Sequence, residues 1–312
     1  MPRDHLRHAL FGVEGEASVR GQPRAAEGVR RAQPEPLIVS ASYRSDVPAF
    51  HGPRFLSQLR AGFADVPNPY GSRPYRVSLE ATDVDGFIFW TRNARPFREG
   101  LAAAGKRAPF VVQYTVTGYP ETLERGVPPA DHAIAEMRRI VGDFGPGTVV
   151  WRYDPVIWTS ETDAAFHRQN FARLADALTG VTDEVTLSAA TLYAKSRRNL
   201  KRHAPALAVD DPPDEEKRGL LGDLGAIAAA RNMTATLCSQ PHLLSDNLKP
   251  AKCVDAARLA RIGGAAFRAK RKGNRPGCEC AESRDIGRYD SCAHGCLYCY
   301  AVNDHEKVTL AV

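Results

Sequence analysis

Apolar residues along this chain gather into short runs, separated by stretches in which they recur every three or four positions. "LIVSASY" (Leu37 to Tyr43) is the first such run, bounded by Pro36 and the polar "RSD". Its length and closure suit a buried parallel strand. Five more candidates follow: "DGFIFWTR" (Asp85 to Arg92), "FVVQYTVTGY" (Phe110 to Tyr119), "TVVWRYDPVIW" (Thr148 to Trp158), "VTLSAATLY" (Val185 to Tyr193) and "TATLCSQ" (Thr234 to Gln240). Helical spacing separates most of them. "AFHGPRFLSQLRAG" carries Phe55, Leu56 and Leu59, and "PADHAIAEMRRIVGDFG" opens on Pro129 and stops at Gly145. "ETDAAFHRQNFARLADALTG" shows Phe166, Phe171, Leu174 and Leu178 on one face. "PDEEKRGLLGDLGAIAAARN" puts acids in its first turn, where the helix dipole favours them.

Six strands alternating with helices predict an α/β fold built on a partial or full (β/α) barrel of parallel strands. Polar groups cluster at the strand ends, where such folds place ligands. They are Ser42, Arg44 and Asp46; Thr91, Arg92 and Asn93; Thr115 and Thr117; Arg152 and Asp154; Lys195; Ser239 and Gln240. Arg152 and Asp154 either bind a cofactor's carboxylate and ribose or pair with one another, and Arg44, Asp46, Arg92 and Asn93 carry the same two readings. Lys195, with Arg197 and Arg198 after it, fits anion binding or a solvated helix start. Trp90, Trp151 and Trp158 read as core, and His167, inside a helical pattern, as structural. No glycine-rich dinucleotide or phosphate loop follows a strand, and no hydrolase triad, nucleophile elbow or His-Glu-x-x-His helix is present.

Composition narrows the class. The chain has 312 residues, 43% hydrophobic and 25% charged, and no apolar run near the length of a bilayer span. Charges interrupt the N-terminal apolar residues, which speaks against a secretory signal and for a cytoplasmic protein. Residues 1–35 read as a disordered tail, 36–248 as the barrel core and 249–312 as a cysteine-rich segment packed on the barrel mouth. That last segment holds 12 Lys and Arg against 7 Asp and Glu, with much of the excess in "RAKRKGNR" (Arg268 to Arg275). The run is either a solvated basic loop or a contact for phosphates.

All seven cysteines lie at or beyond Cys238. Reduced cytosolic thiols make a disulfide framework a poor explanation, and the clustering favours metal. Cys292, Cys296 and Cys299 stand at i, i+4 and i+7 in "SCAHGCLYCYA", close enough to converge on one centre. A cubane iron–sulfur cluster normally takes four thiolates, so three leave one iron open. Structural zinc more often pairs Cys-x-x-Cys units at a distance, and His294 is cramped as a fourth ligand. Iron–sulfur is the favoured reading, with zinc and plain thiols as alternatives. Cys238, Cys253, Cys278 and Cys280 make up the complement for a second iron–sulfur cluster or a zinc ion; otherwise Cys238 and Cys253 are small buried hydrophobes.

Cys292-x-x-x-Cys296-x-Tyr298-Cys299 resembles the cluster motif of radical S-adenosylmethionine enzymes. That resemblance implies a [4Fe-4S] cluster whose fourth iron is chelated by S-adenosylmethionine, a deoxyadenosyl radical that abstracts hydrogen, an α/β barrel, and a contact from Tyr298 to the cofactor. It also implies an electron donor such as flavodoxin or ferredoxin. "IVSASYRSDVPAF", "VPNPY", "DGFIFWTRN", "VTGYP", "VWRYDPVI" and "DIGRYDSCAHGCLYCYA" are similar to the bacterial family called domain of unknown function 1848. That family is described as carrying a radical-SAM-like cysteine cluster at its C-terminus. Here the motif follows the last helices instead of the first strand, and no clear Gly-Gly-Glu segment follows the second strand. A barrel brings its chain ends together, so a permuted loop is expected at the same mouth. The alternative from another class is a non-catalytic iron–sulfur or zinc protein that binds nucleic acid through its basic run.

Overall fold

The computed structural model describes residues 37–310, apart from 69, 70, 72, 266 and 268. The tail at 1–35 and Arg268 of the basic run lie outside the described residues. Eight parallel strands form one sheet: β1 (Leu37–Ala41), β2 (Val84–Thr91), β3 (Phe110–Thr115), β4 (Val149–Val156), β5 (Glu184–Ala189), β6 (Thr234–Leu237), β7 (Lys249–Pro250) and β8 (Arg284–Asp285). Their order across the sheet is β7-β6-β5-β4-β3-β2-β1-β8. Each strand lies beside its predecessor, and the last returns to the first, pairing Val39 with Arg284 and Ser40 with Asp285. That cyclic order, with β7 and β8 as its two edges, is consistent with a partial barrel with one open seam. The six strands expected from apolar runs are all present, each within a few residues of its expected bounds. β7 and β8 are only "KP" and "RD". Backbone pairing to β6 and β1 defines them, which no hydrophobic run announces.

The connecting helices are α1 (Val47–Phe50), α2 (Gly52–Ala61), α3 (Arg98–Gly105), α4 (Ala130–Phe144), α5 (Ala164–Leu178), α6 (Ala194–His203), α7 (Asp214–Ala229) and α8 (Ala256–Gly263). Asp163 caps α5 by accepting the Phe166 N–H at 2.7 Å, and Asp255 caps α8 from two N–H groups. Two short antiparallel ribbons, Phe63–Val66 with Tyr75–Ser78 and Trp158–Thr159 with Val209–Asp210, decorate the connections.

The strands alternate in a way their continuous apolar spelling hides. Val39, Phe87, Phe89, Val112, Val149, Trp151, Val185 and Leu187 face outward into the main core shared with the helices. Ile38, Ile88, Val111 and Val150 face the other way and pack with Leu259 of α8, which closes the lower end of the inner face. Arg258, beside Leu259, ties α8 to the entries of β4 and β5 through Gly147 O, Asp183 and Glu184. One residue-pair higher the inner face turns polar. Trp90 Nε1 donates to Ser40 Oγ at 2.9 Å, and Gln113, Arg152, Thr186 and Ser188 are all buried there. Polar groups buried at this depth require partners, and those partners lead to the site.

His167 of α5 is fully buried, its ring nitrogens 2.9 Å from Tyr153 Oη and 3.0 Å from Ile157 O. Burial pushes its pKa from 6.5 down to about 4. Between those values the unfolded chain carries the extra proton, so stability is complete above pH 6.5 and falls as pH drops towards 4. The contribution is roughly 3 kcal/mol. Denaturant unfolding across this window should show a shallower loss for His167→Gln than for the native chain; equal slopes would contradict the assignment.

Candidate metal centre at the barrel mouth

The chain leaves β8 and folds back over the C-terminal ends of the strands, carrying Cys292, Cys296 and Cys299 with it. Three connections hold this loop. The segment after β1 supplies Ser45 and His51, with Ser45 Oγ 3.1 Å and His51 Nε2 2.8 Å from Ser291 O. The segment after β3 pairs with the loop along its backbone: Gly126 N–H donates to His294 O at 2.8 Å and Leu297 N–H to Leu123 O at 3.0 Å. Glycine at position 126 permits this close approach, because a Cβ there would stand a tight 3.1 Å from the carbonyl oxygens of both Ala293 and His294. From α6, Ser196 Oγ donates to Tyr298 O at 3.0 Å, and Asn199 reaches Val302 O.

A buried charged hub lies beneath. Arg92, at the end of β2, pairs with Glu124 at 2.8 Å and donates to Tyr298 Oη at 2.6 Å and to Thr117 Oγ1 at 3.2 Å. The Tyr298 hydroxyl in turn donates to Glu124. Burial opposes the charge on Arg92, but Cys296, Glu124, Tyr298 and Cys299 outweigh it and keep the guanidinium ionised. Asp46 works alongside: it caps α1 through Ala49 N–H at 2.9 Å, accepts the Arg92 N–H at 2.8 Å and lies 2.8 Å from His294 Nε2. His294 also lies 3.2 Å from Gly126 O through Nδ1, so its ring is turned to these two acceptors.

The three thiols lie within electrostatic range of one another. Burial pushes Cys296 up to about 12, with Arg92 pulling the other way. Burial, Asp46 and the other two thiols push Cys292 well above its ordinary value. Cys299 Sγ accepts the Ala301 N–H at 3.3 Å, the kind of bond that tunes cluster sulfurs. Buried, mutually repelling thiols hold protons when no cation is present, and a bound metal would release them. Among the described residues no three His, Cys, Asp or Glu side chains stand as a finished site for a single metal ion. Three thiols are the soft donor type that an iron–sulfur cluster or a zinc ion takes.

The other residues expected at the mouth divide. Arg152 and Asp154 pair with each other, and Ser188 also bonds Asp154. Burial alone would raise the Asp154 carboxyl; Arg152 and Ser188 hold it below the usual range. Arg44 lies 3.8 Å from Asp285 and its guanidinium covers the rings of Tyr43 and Tyr289. Asn93 serves its own turn, accepting the Arg95 N–H at 3.2 Å. Tyr298 anchors the loop through its hydroxyl. Lys195 approaches the Tyr289 ring at 5.7 Å; burial pushes the Cys299 thiol up, and Lys195 is among the groups that pull the other way. Glu124 and the His294–Asp46 contact escaped sequence reasoning. Glu124 sits in "PETLERG", where nothing separates it from a solvated glutamate. A cavity of about 470 Å³ opens beside the hub, lined by Arg92, Glu124, Tyr119, Arg125, Asp131 and Arg173 among others.

Fold and site together define an eight-stranded parallel α/β protein whose cysteine-rich C-terminal segment caps the strand ends. The chain belongs to the family described as Domain of unknown function (DUF1848), whose model matches residues 38–301. No curated protein matches it. No helix among the described residues is long and apolar enough to cross a membrane.

Proposed function

We propose that Cys292, Cys296 and Cys299 hold a [4Fe-4S] cluster and that the protein is a radical-SAM-like enzyme acting on a substrate bound at the barrel mouth. The observation that carries this reading is the position of the loop: it follows β8, yet it is bonded to the segments after β1, β2 and β3. A permuted motif thereby reaches the mouth where parallel barrels do their chemistry. A cluster held by Cys292, Cys296 and Cys299 would supply an electron for reductive cleavage of a sulfonium cofactor. The residues around it have their own tasks. Arg92 offsets the negative charge that three thiolates and a cluster bring into a buried site. Asp46, Glu124 and Tyr298 anchor the loop that carries the three cysteines. Lys195, beside Cys299, offers a cation for the cofactor's carboxylate.

The basic run gives little support to nucleic-acid binding. Arg271 pairs with Glu279 and Lys272 with Glu282, both within the same hairpin, and Arg275 turns inward to Cys238. Anaerobic reconstitution with iron and sulfide, then S-adenosylmethionine and dithionite, is the test. Deoxyadenosine or methionine should form. A cluster whose spectrum ignores the cofactor, with neither product, would overturn the enzymatic reading and leave a non-catalytic iron–sulfur protein.

A further inference from the structure

The other four cysteines come from three places along the chain and meet at the open seam. Cys238 directly follows β6, Cys253 follows β7, and Cys278 and Cys280 lie on the hairpin that precedes β8. These are the elements that flank the gap between the sheet's two edges. Cys253 Sγ lies 3.8 Å from Cys238 Sγ. Cys280 is buried in the same cluster as Cys238 and Cys253, and Cys278 packs against it. Two thiolates on one tetrahedral metal with bonds of about 2.3 Å stand roughly 3.8 Å apart, so the first pair already has the spacing of a shared metal.

The sulfurs are also met by donors. Arg152 Nη1 donates to Cys253 Sγ at 3.0 Å, Arg275 Nη2 to Cys238 Sγ at 3.3 Å and the Val254 N–H to Cys280 Sγ at 3.4 Å. Gln113 Nε2 holds the Cys253 carbonyl at 2.9 Å, and Ala281 N–H bonds Val254 O at 3.0 Å, which joins the turn after β7 to the hairpin. Inert buried thiols need no cation, yet two guanidiniums are brought to this cluster, one of them with 5% of its surface exposed. Four thiolates around a divalent ion, or around an oxidised iron–sulfur cluster, leave about two negative charges; Arg275 offsets part of that charge, while Arg152 is shared with Asp154.

We propose that Cys238, Cys253, Cys278 and Cys280 form a second, all-thiolate metal centre that fastens the seam between β7 and β8. Its occupant is a thiophilic metal, either a zinc ion or an iron–sulfur cluster closed by four protein ligands. The four sulfurs do not converge on one point among the described residues. Metal binding is expected to draw Cys278, the half-buried member of the set, towards the other three sulfurs. The staple replaces the ladder that β7 and β8 do not make, and it is independent of the cluster proposed at Cys292, Cys296 and Cys299.

The test uses the full chain with Cys292, Cys296 and Cys299 replaced by serine, so that failure of the first centre does not affect the second. It is purified without oxygen and offered zinc ions, or ferrous iron with sulfide, before elemental analysis. Retention of about one zinc, or of iron with sulfide in a visible chromophore, identifies the occupant, and Cys253→Ser should abolish it. No retained metal, or metal indifferent to Cys253→Ser, overturns the proposal. In case the triple variant folds poorly, the native chain is alkylated before and after chelation. Cys278 should be protected until the metal is removed; equal labelling in both states would overturn the staple.

Discussion

Replacing Arg92 by alanine is expected to destabilise the folded, metal-free chain by about 3 kcal/mol. Among the described residues the guanidinium is the one cation bonded to Glu124, Tyr298 and Thr117, and Glu124 is only 5% exposed. Removing the cation strands a buried carboxylate. Breaking a buried pair from one side costs about 3–5 kcal/mol, and the neighbouring cavity, which admits water to one flank, argues for the lower end. Removing both charges behaves differently: Arg92→Met with Glu124→Leu should recover most of the loss, because neither charge is then left alone. Denaturant unfolding of the two single variants and the double variant gives the coupling directly. A loss below about 1 kcal/mol for Arg92→Ala would mean that cavity water solvates Glu124 and that the hub is not dry.

The second large effect falls on the metal. Cys296→Ser should leave the mouth unable to retain an iron–sulfur cluster after reconstitution, with loss of its visible absorption and its reduced-state paramagnetic signal. Cys296 is the most enclosed of the three thiols, 7% exposed, and the backbone on either side of it is pinned by the segment after β3. Serine there offers a hard oxygen in place of a soft thiolate, with no freedom for another ligand to replace it. Tyr298→Phe keeps the ring and removes only the hydroxyl that joins the loop to Arg92 and Glu124. Its expected cost is about 10–100-fold in cluster retention, as for other groups that orient metal ligands. A Cys296→Ser protein with native cluster content would remove the mouth site from the account.

How much of this was legible in the chain follows from which forces write themselves locally. Strands β1 to β6 bury their outward faces against helices, and that burial forces apolar runs that can be read directly. The inward polar layer was visible only as strand-end residues such as Arg152 and Asp154, and of their two readings the structure has them paired with each other. β7 and β8 were invisible because two-residue strands are defined by their neighbours' backbones. The motif spacing marked Cys292, Cys296 and Cys299 as a group, and the structure has their loop bonded to the segments after β1 and β3. Glu124 was not legible as a site residue, His294 was legible only as a cramped metal ligand, not as the partner of Asp46, and His51 was not legible either. Their roles depend on contacts across 174, 248 and 240 residues of chain, and no local pattern encodes such separations.

The most direct test of the central claim is the iron Mössbauer spectrum of the anaerobically reconstituted chain in which Cys238, Cys253, Cys278 and Cys280 are replaced by serine. Three thiolate-bound irons and one open iron should be present, and S-adenosylmethionine should shift the signal of one iron in four. A spectrum with no cubane cluster, or one in which no iron responds to the cofactor, would contradict it.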